Sequence, residues 1–216
     1  SVYSFACALG SSKGLEKKEV LYVSQYRSKT NDPMVMSLDQ KSFSMPWDLF
    51  YQIDKDLLPL LAEYCNKKSL KLNVLSPMAS NEIEEENFYN NLIGNDNYNF
   101  IKHQDGRSGY KAIDRYKFII GVNSTLGYEV LARNKNRVVL FDSRGKYCGI
   151  PFDTFGFPLE ISSKGPFWTN EVTENEFKRL MSSLIDKSDE QWIESTDTIV
   201  KKLVSFDNDN SLYFVK

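Results

Sequence analysis

Residues 117–141 read KFIIGVNSTLGYEVLARNKNRVVLF, and they fit a strand, a polar turn, a helix and a second strand into 25 residues. Residues 118–122 form a continuous apolar run and residues 137–141 supply a second that begins at Arg137, which is typical of strands that are covered on both faces of a sheet. The small polar turn 123–125 stands between them, where a helix should begin. This pattern predicts a strand–helix–strand unit with two parallel strands.

The start of this helix is a candidate phosphate site, formed by Asn123, Ser124 and Thr125. The first backbone N–H groups of a helix are unpaired and lie at the positive end of its dipole, so they can hold a phosphate group. Glu129 follows one turn later, where its carboxylate could bind the hydroxyls of a ribose or sugar. Ordinary helix capping is the alternative, because Ser and Thr cap many helices that bind nothing.

Length and charge limit the classes of protein that fit. The chain has 216 residues, 41% of them hydrophobic and 26% charged, which fits one domain with a sizeable core. A formal net charge of -2 gives no general electrostatic reason to bind nucleic acid. No stretch approaches the length of a membrane-spanning helix, and the start lacks the pattern of a secretory signal. We therefore expect no nucleic-acid partner and no integral membrane segment.

The cysteines and the first residue add two further expectations. Cys7, Cys65 and Cys148 are far apart and lack the spacing of a zinc site or a redox pair, so we expect no metal. The chain begins at Ser1 without a methionine, which suggests a fragment or a processed product. We predict that residues 1–18 are a linker or the end of a preceding domain, and that 19–216 form the domain.

Strands and helices alternate along the rest of the chain, which predicts a Rossmann-like three-layer αβα domain with a parallel sheet. The predicted strands are 19–24, 71–75, 97–102, 118–122 and 137–141, and the predicted helices are 46–65, 80–93, 108–115, one from about 125, 175–185 and 189–203. Pro59 should kink or split the first helix near Leu58. Residues 34–46 are predicted as loop, and the acidic run Glu82–Glu86 as a solvated face that suits the helix dipole.

Polar side chains follow several of these strands. Gln25 and Arg27 follow the first strand, while His103 and Arg107 follow the third. Ligands of parallel sheets bind beyond the carboxyl ends of the strands, so we expect these residues to share an edge with the turn 123–125. Arginine can fork onto phosphate oxygens, and histidine can donate a proton near neutral pH. The alternatives are a structural histidine and arginines that are only solvated.

Residues 142–158 are rich in Gly, Pro and aromatic side chains and follow the fifth predicted strand. Loops of this length are uncommon without a function, so we predict a long ordered loop at the same edge. Its aromatic side chains, from Tyr147 to Phe157, could close over a ligand and stack on a base or sugar. Packing beneath the loop explains them equally well.

The sequence of residues 117–141 resembles the donor-binding half of GT-B glycosyltransferases, and most closely the bacterial surface-carbohydrate biosynthesis proteins. In those enzymes a strand-end histidine, commonly followed by proline, and a Ser/Thr pair at a helix start hold the nucleotide phosphate. The resemblance gives these roles to His103 and to Ser124–Thr125. Gln104 stands where the proline would be, which departs from the CMP-sugar enzymes. Glu129 corresponds to the acid that contacts the ribose or donor sugar.

The resemblance implies the donor-binding domain of a glycosyltransferase for bacterial surface polysaccharides, such as capsule or lipopolysaccharide. Its substrate would be a nucleotide sugar, with no cofactor and no metal. Because a GT-B enzyme has two such domains, an N-terminal acceptor-binding domain and a glycan or lipid-linked acceptor are expected outside this chain. His103 would be the catalytic group, stabilising the departing phosphate together with Arg27 and the helix start. We expect a cytoplasmic protein, either free or peripheral at the inner face of the membrane.

Two other functions stay open at this point. A non-hydrolysing sugar-nucleotide epimerase shares the two-domain architecture, and it would interconvert a free nucleotide sugar without an acceptor. A non-catalytic module could instead mediate assembly with other polysaccharide enzymes, and it would bind no nucleotide. The sequence therefore does not decide whether the chain is part of an enzyme.

Overall fold

The computed structural model describes residues 15–38, 40–77, 82–104, 108–131, 136–150, 154–156, 161–206 and 212–214. The strands are β1 (Glu16–Val23), β2 (Met34–Leu38), β3 (Lys41–Met45), β4 (Lys71–Leu75), β5 (Asn99–Ile101), β6 (Tyr116–Gly121), β7 (Arg137–Phe141), β8 (Trp168–Thr169), β9 (Val204–Phe206) and β10 (Leu212–Phe214). The helices are α1 (Trp47–Phe50), α2 (Gln52–Lys67), α3 (Glu82–Ile93), α4 (Ser108–Ile113), α5 (Thr125–Leu131), α6 (Arg144–Cys148), α7 (Glu174–Ile185) and α8 (Asp189–Leu203).

Six strands form one parallel sheet in the order β5-β4-β1-β6-β7-β8. Numbered within this sheet alone, the order is 3-2-1-4-5-6, which is the doubly wound order of Rossmann folds. The chain builds outward from β1 to β5, then returns to the other side of β1 and continues with β6. The topological switch point therefore lies between β1 and β6.

Helices cover both faces of the sheet. Right-handed crossovers place α2 and α3 on one face and α4 and α5 on the other. Helix α7 joins the first group, where Phe177 meets the ring of Tyr64 of α2 edge to face at 5.8 Å. Helix α8 lies beside α5, as shown by the groove that Trp192 of α8 and Leu131 of α5 line together. These layers confirm the predicted α/β, Rossmann-like three-layer fold.

Strands β6 and β7 form the centre of the core, since every residue of both is buried. This burial on both faces explains their continuous apolar sequence. Strand β1 begins at Glu16, so residues 16–18 of the predicted linker belong to the sheet, while residues 1–14 lie outside the described part. Within the described residues, no helix is long and apolar enough to cross a membrane.

The predicted break near Leu58 is wrong, because α2 continues through Pro59 to Lys67. Pro59 is exposed, so the carbonyl that lacks its helical partner lies on the solvent side, while Leu57 and Leu58 are buried. Packing of this apolar face outweighs the local cost of the proline. The helix is interrupted at Tyr51 instead, which separates α1 from α2.

The prediction of a loop over residues 34–46 is also wrong, because β2 and β3 form an antiparallel hairpin. Met34 pairs with Met45, and Met36 pairs with Phe43. These side chains pack in a small hydrophobic cluster next to α1, and this packing stabilises the hairpin. The predicted long loop after β7 likewise contains helix α6.

Candidate site at the carboxyl edge of the sheet

The carboxyl ends of β1 and β6 lie side by side at the switch point. Val23, the last residue of β1, is in register with Gly121, the last residue of β6. The segments 24–27 and 122–125 therefore leave the sheet from neighbouring strands. Crevices at this position hold the ligand in doubly wound sheets. The structure thus brings the predicted residues Gln25 and Arg27 to the same place as the predicted turn 123–125.

A buried hydrogen-bond network fixes the end of β1. The Ser24 hydroxyl donates to Glu85 at 2.5 Å and accepts from the Tyr89 hydroxyl at 2.7 Å and the Tyr26 N–H at 3.0 Å. The Ser76 hydroxyl, just after β4, donates to the other carboxylate oxygen of Glu85 at 2.5 Å. Glu85 is buried, so the prediction that residues 82–86 are only a solvated face is wrong for this position.

The backbone of Arg27 is held while its side chain is exposed. The Tyr51 hydroxyl donates to the Arg27 carbonyl, and the Arg27 N–H donates back to that hydroxyl at 3.3 Å. The ring of Tyr26 packs between Tyr51 and Phe88, at 5.5 and 5.4 Å between ring centres. The Gln25 side-chain amide donates to the Ser24 carbonyl at 3.1 Å. The guanidinium of Arg27 therefore projects from a fixed loop towards solvent.

Asp142, immediately after β7, anchors the turn between β6 and α5. Asn123 has a φ of 46°, the left-handed region that asparagine tolerates better than most residues. Its N–H donates to Asp142 Oδ1 at 2.7 Å, and the Tyr128 hydroxyl donates to Oδ2 at 3.1 Å. Ser124 is buried and Thr125 is exposed at the start of α5. The turn thus has a fixed geometry facing the carboxyl edge.

Two glycines allow α5 to lie close to the sheet. A Cβ on Gly127 of α5 would come within 2.6 Å of Leu140 Cδ2, and a Cβ on Gly121 of β6 within 2.8 Å of the same atom. Leu140 is fully buried between them. Larger residues at either glycine would push α5, and the turn before it, away from the sheet.

The remaining predicted site residues are His103, Arg107 and Glu129. His103 follows β5, which is three strands away from β6, or roughly 14 Å at the usual strand spacing. The sheet therefore does not bring His103 next to Ser124, and its catalytic role stays a prediction. Arg107 lies outside the described residues. Glu129 is only 2% exposed, within the packing of α5, and its contact with a ribose or sugar stays a prediction.

Two of the predicted aromatic residues after β7, Tyr147 and Phe155, pack against the domain. The ring of Phe155 stacks on Tyr128 at 5.2 Å and on Trp168 at 4.6 Å, and it is buried. The Tyr147 hydroxyl donates to Asp56 at 2.7 Å. Packing therefore accounts for these two rings, and Phe157 lies outside the described residues.

A second buried cluster beneath the same edge was not predicted. The Tyr22 hydroxyl of β1 donates to Asp54 of α2 at 2.6 Å, and burial raises the pKa of Asp54. Arg144 of α6 opposes this rise in the pKa of Asp54 through its charge. The sequence did contain a signal for this cluster, since the polar residues Asp142 and Arg144 directly follow β7. Residues beyond the carboxyl end of a parallel strand are candidates for ligand binding, and this holds for β7 as for the other strands.

Glu85 should make stability depend on pH. Burial raises the pKa of Glu85, although the bonds from Ser24 and Ser76 oppose this. A carboxyl whose folded pKa is raised binds more protons in the folded state, so its contribution to stability falls as pH rises from about 4.3 through the folded pKa. Urea titrations would measure the free energy of unfolding of wild type minus that of Glu85→Gln. We expect this difference to be lower at pH 7 than at pH 4.

Glu176→Gln is the matched control for this prediction. The hydrogen bond from Arg179 is the largest influence on Glu176 and lowers its pKa. Its contribution to stability is therefore lost as pH falls through the folded pKa, which is the opposite sign. Equal pH profiles for the two variants would contradict the assignment of Glu85 as a buried, destabilised carboxylate.

Comparison with known families gives one match. The family described as "putative O-antigen biosynthesis protein" matches residues 4–216. Comparison with curated proteins gives no match. Within the described residues, no three His, Cys, Asp or Glu side chains come together as a metal-binding group.

Proposed function

The chain belongs to this family of O-antigen biosynthesis proteins, and from that premise we propose that it binds a nucleotide sugar at the carboxyl edge of its sheet. O-antigen is a surface polysaccharide, and such polymers are assembled from activated sugars. The observation that carries the proposal is the strand order, which sets the loop after β1 beside the turn after β6. Doubly wound sheets bind nucleotides at this switch point.

Two groups at the crevice would recognise the phosphates of the donor. The exposed guanidinium of Arg27 can form a forked pair with phosphate oxygens, and its loop is already ordered by Tyr51. The turn would present the backbone N–H groups of Ser124 and Thr125 at the start of α5, while the Asn123 N–H donates to Asp142 and fixes the geometry of the turn. Both elements are in place before the ligand arrives, which lowers the cost of binding.

The reaction in this proposal is glycosyl transfer by a GT-B-type enzyme, with this chain as the donor-binding domain. Negative charge develops on the phosphate as the bond to the anomeric carbon breaks, and Arg27 and the turn stabilise that charge. His103, three strands away, would act on another part of the donor or on the acceptor. The acceptor-binding domain and a glycan or lipid-linked acceptor complete the reaction, at the inner face of the membrane or in the cytoplasm.

A titration calorimetry screen against CMP, CDP, UDP, GDP and their sugar conjugates tests the proposal. We expect one nucleotide class to bind, and Arg27→Ala to weaken binding by about 10- to 100-fold, which is the usual effect of losing a hydrogen bond to a charged group. Arg115→Ala is the matched control, because Arg115 is also exposed but lies at the opposite, amino edge beside Tyr116. Its affinity should equal that of wild type.

Other results would identify the two alternative functions. Interconversion of a bound nucleotide sugar without an acceptor would indicate an epimerase. If no nucleotide binds to well-folded protein, the donor-binding proposal is wrong and an interaction module is favoured.

A further inference from the structure

Arg144 is a buried cation at the carboxyl edge. It is the first residue of α6, three residues after the end of β7, and only 4% of it is exposed. Its Nε donates to the Phe50 carbonyl of α1 at 3.2 Å, and its guanidinium lies 4.1 Å from the centre of the Phe50 ring. These contacts hold one side of the guanidinium.

The other side of the guanidinium has no partner among the described residues. Arg144 Nη2 is buried without a hydrogen bond, and no carboxylate of that part of the chain lies within 4.0 Å of the guanidinium. Asp54 is close enough to be influenced by its charge, but its Oδ1 accepts from Tyr22. The buried guanidinium therefore has no carboxylate of the described residues in direct contact, and Asp54 acts on it only through its charge at longer range.

Arg137 is a second buried arginine, and its contacts are those of a residue with a structural role. It is 3% exposed, at the opposite edge of the sheet, and is as buried as Arg144. Its Nη1 donates to the carbonyls of Leu184 and Lys187, and its Nη2 lies 2.5 Å from Asp189 Oδ1. Within the described part of the chain, each arginine leaves one buried nitrogen without a hydrogen bond, Nε in Arg137 and Nη2 in Arg144, and only Arg137 has a carboxylate in contact.

Burial of a charge that has no carboxylate in contact costs more free energy than one hydrogen bond and one ring contact recover. We propose that Arg144 binds an oxyanion of the ligand, a phosphate group, at the carboxyl edge. The assignment of this phosphate to a nucleotide sugar rests on the proposed function, whereas the anion site itself does not. Because Nη2 is buried and the guanidinium contacts Phe50 of α1, binding would require α1 to move away from α6.

The test uses titration calorimetry with pyrophosphate and thermal unfolding of the same samples. Wild type should bind pyrophosphate, and Arg144→Met, which keeps an apolar stem over Phe50, should bind about 10- to 100-fold more weakly. Arg144→Lys should lie between them, because lysine retains the charge without the fork. Lys146→Met in the same helix removes an exposed charge paired with Glu171, and it should bind like wild type.

Thermal unfolding without an anion separates a binding role from a structural one. Arg144→Met should leave Tm unchanged or raise it by a few degrees, because it removes a buried charge that has no carboxylate in contact. Arg137→Met should lower Tm, since Asp189 and two carbonyls lose their partner. A fall in Tm for Arg144→Met as large as that for Arg137→Met would assign Arg144 a structural role and overturn the inference.

The binding results distinguish this inference from the proposed function. If wild type does not bind pyrophosphate, or Arg144→Met binds it equally well, the anion site is wrong. If a nucleotide sugar binds wild type and Arg144→Met equally, the inference falls while the donor proposal stands. If pyrophosphate binding needs Arg144 but no nucleotide binds, the anion site stands while the donor proposal falls.

Discussion

Replacing Asp189 with alanine is expected to lower the free energy of unfolding by roughly 2–4 kcal/mol, because two buried cations lose their shared carboxylate. Lys117 Nζ lies 2.6 and 2.9 Å from the two oxygens of Asp189, and Arg137 Nη2 lies 2.5 Å from Oδ1. The estimate is below the usual cost of breaking a buried pair, since Asp189 itself is 58% exposed and water can reach the cations once it is removed.

The pH dependence gives this prediction a second readout. Hydrogen bonds from Lys117 and then Arg137 lower the pKa of Asp189, so its contribution is present at neutral pH and is lost as pH falls through that pKa. Urea unfolding of wild type and Asp189→Ala should therefore differ at pH 7 and converge in acid.

Asp186→Ala is the control, because its pair with Lys68 at 3.6 Å is about half exposed on both sides. An exposed pair contributes roughly 0–1 kcal/mol, so this variant should unfold close to wild type. Equal losses for Asp186→Ala and Asp189→Ala would contradict the account of the amino edge.

Gly127→Ala is expected to destabilise the domain by roughly 1–3 kcal/mol, despite the better helix propensity of alanine. The new Cβ would lie 2.6 Å from Leu140 Cδ2 and 3.9 Å from Gly121 Cα, in a fully buried region. Relief requires Leu140 to leave its packed position or α5 to move, and a shift of α5 would also displace the turn 123–125. Urea unfolding measures the first effect, and a loss of nucleotide affinity should accompany it.

Two comparisons make the Gly127→Ala result specific. Gly109→Ala in α4 meets only Leu126 Cδ2 at 3.3 Å and should change stability by less than about 1 kcal/mol. Combining Gly127→Ala with Leu140→Ala should cost less than the sum of the two single changes, because the new methyl group fills part of the cavity. Strict additivity would show that Gly127 and Leu140 do not compete for the same space.

Much of the sheet could be predicted from sequence because its central strands contain continuous apolar runs. The predicted bounds of β4 and β7 are those observed, and α8 also spans its predicted range. The hairpin of β2 and β3 was missed because its outer face carries serines, which leaves a weak alternating pattern. Pro59 was misread because a local rule cannot include the packing of the opposite, buried side of α2.

The sequence predicted the location of the site at the carboxyl edge of the sheet, but not the contacts between its residues. Polar residues after the strands indicated the carboxyl edge, yet only the strand order shows that Arg27 neighbours the turn after β6 and that His103 does not. Glu85 looked solvated because its partners, Ser24 and Ser76, come from separate strands. Long-range contacts of this kind leave no local pattern in the sequence.

Hydrogen–deuterium exchange with and without the selected nucleotide sugar locates the ligand on the fold and so tests whether it binds at the carboxyl edge. We expect slower exchange in residues 24–28 and 122–131, with the amino-edge residues 115–117 and 186–190 unchanged. A nucleotide sugar that binds but slows exchange only at the amino edge, or leaves both carboxyl-edge segments unchanged, would contradict this expectation.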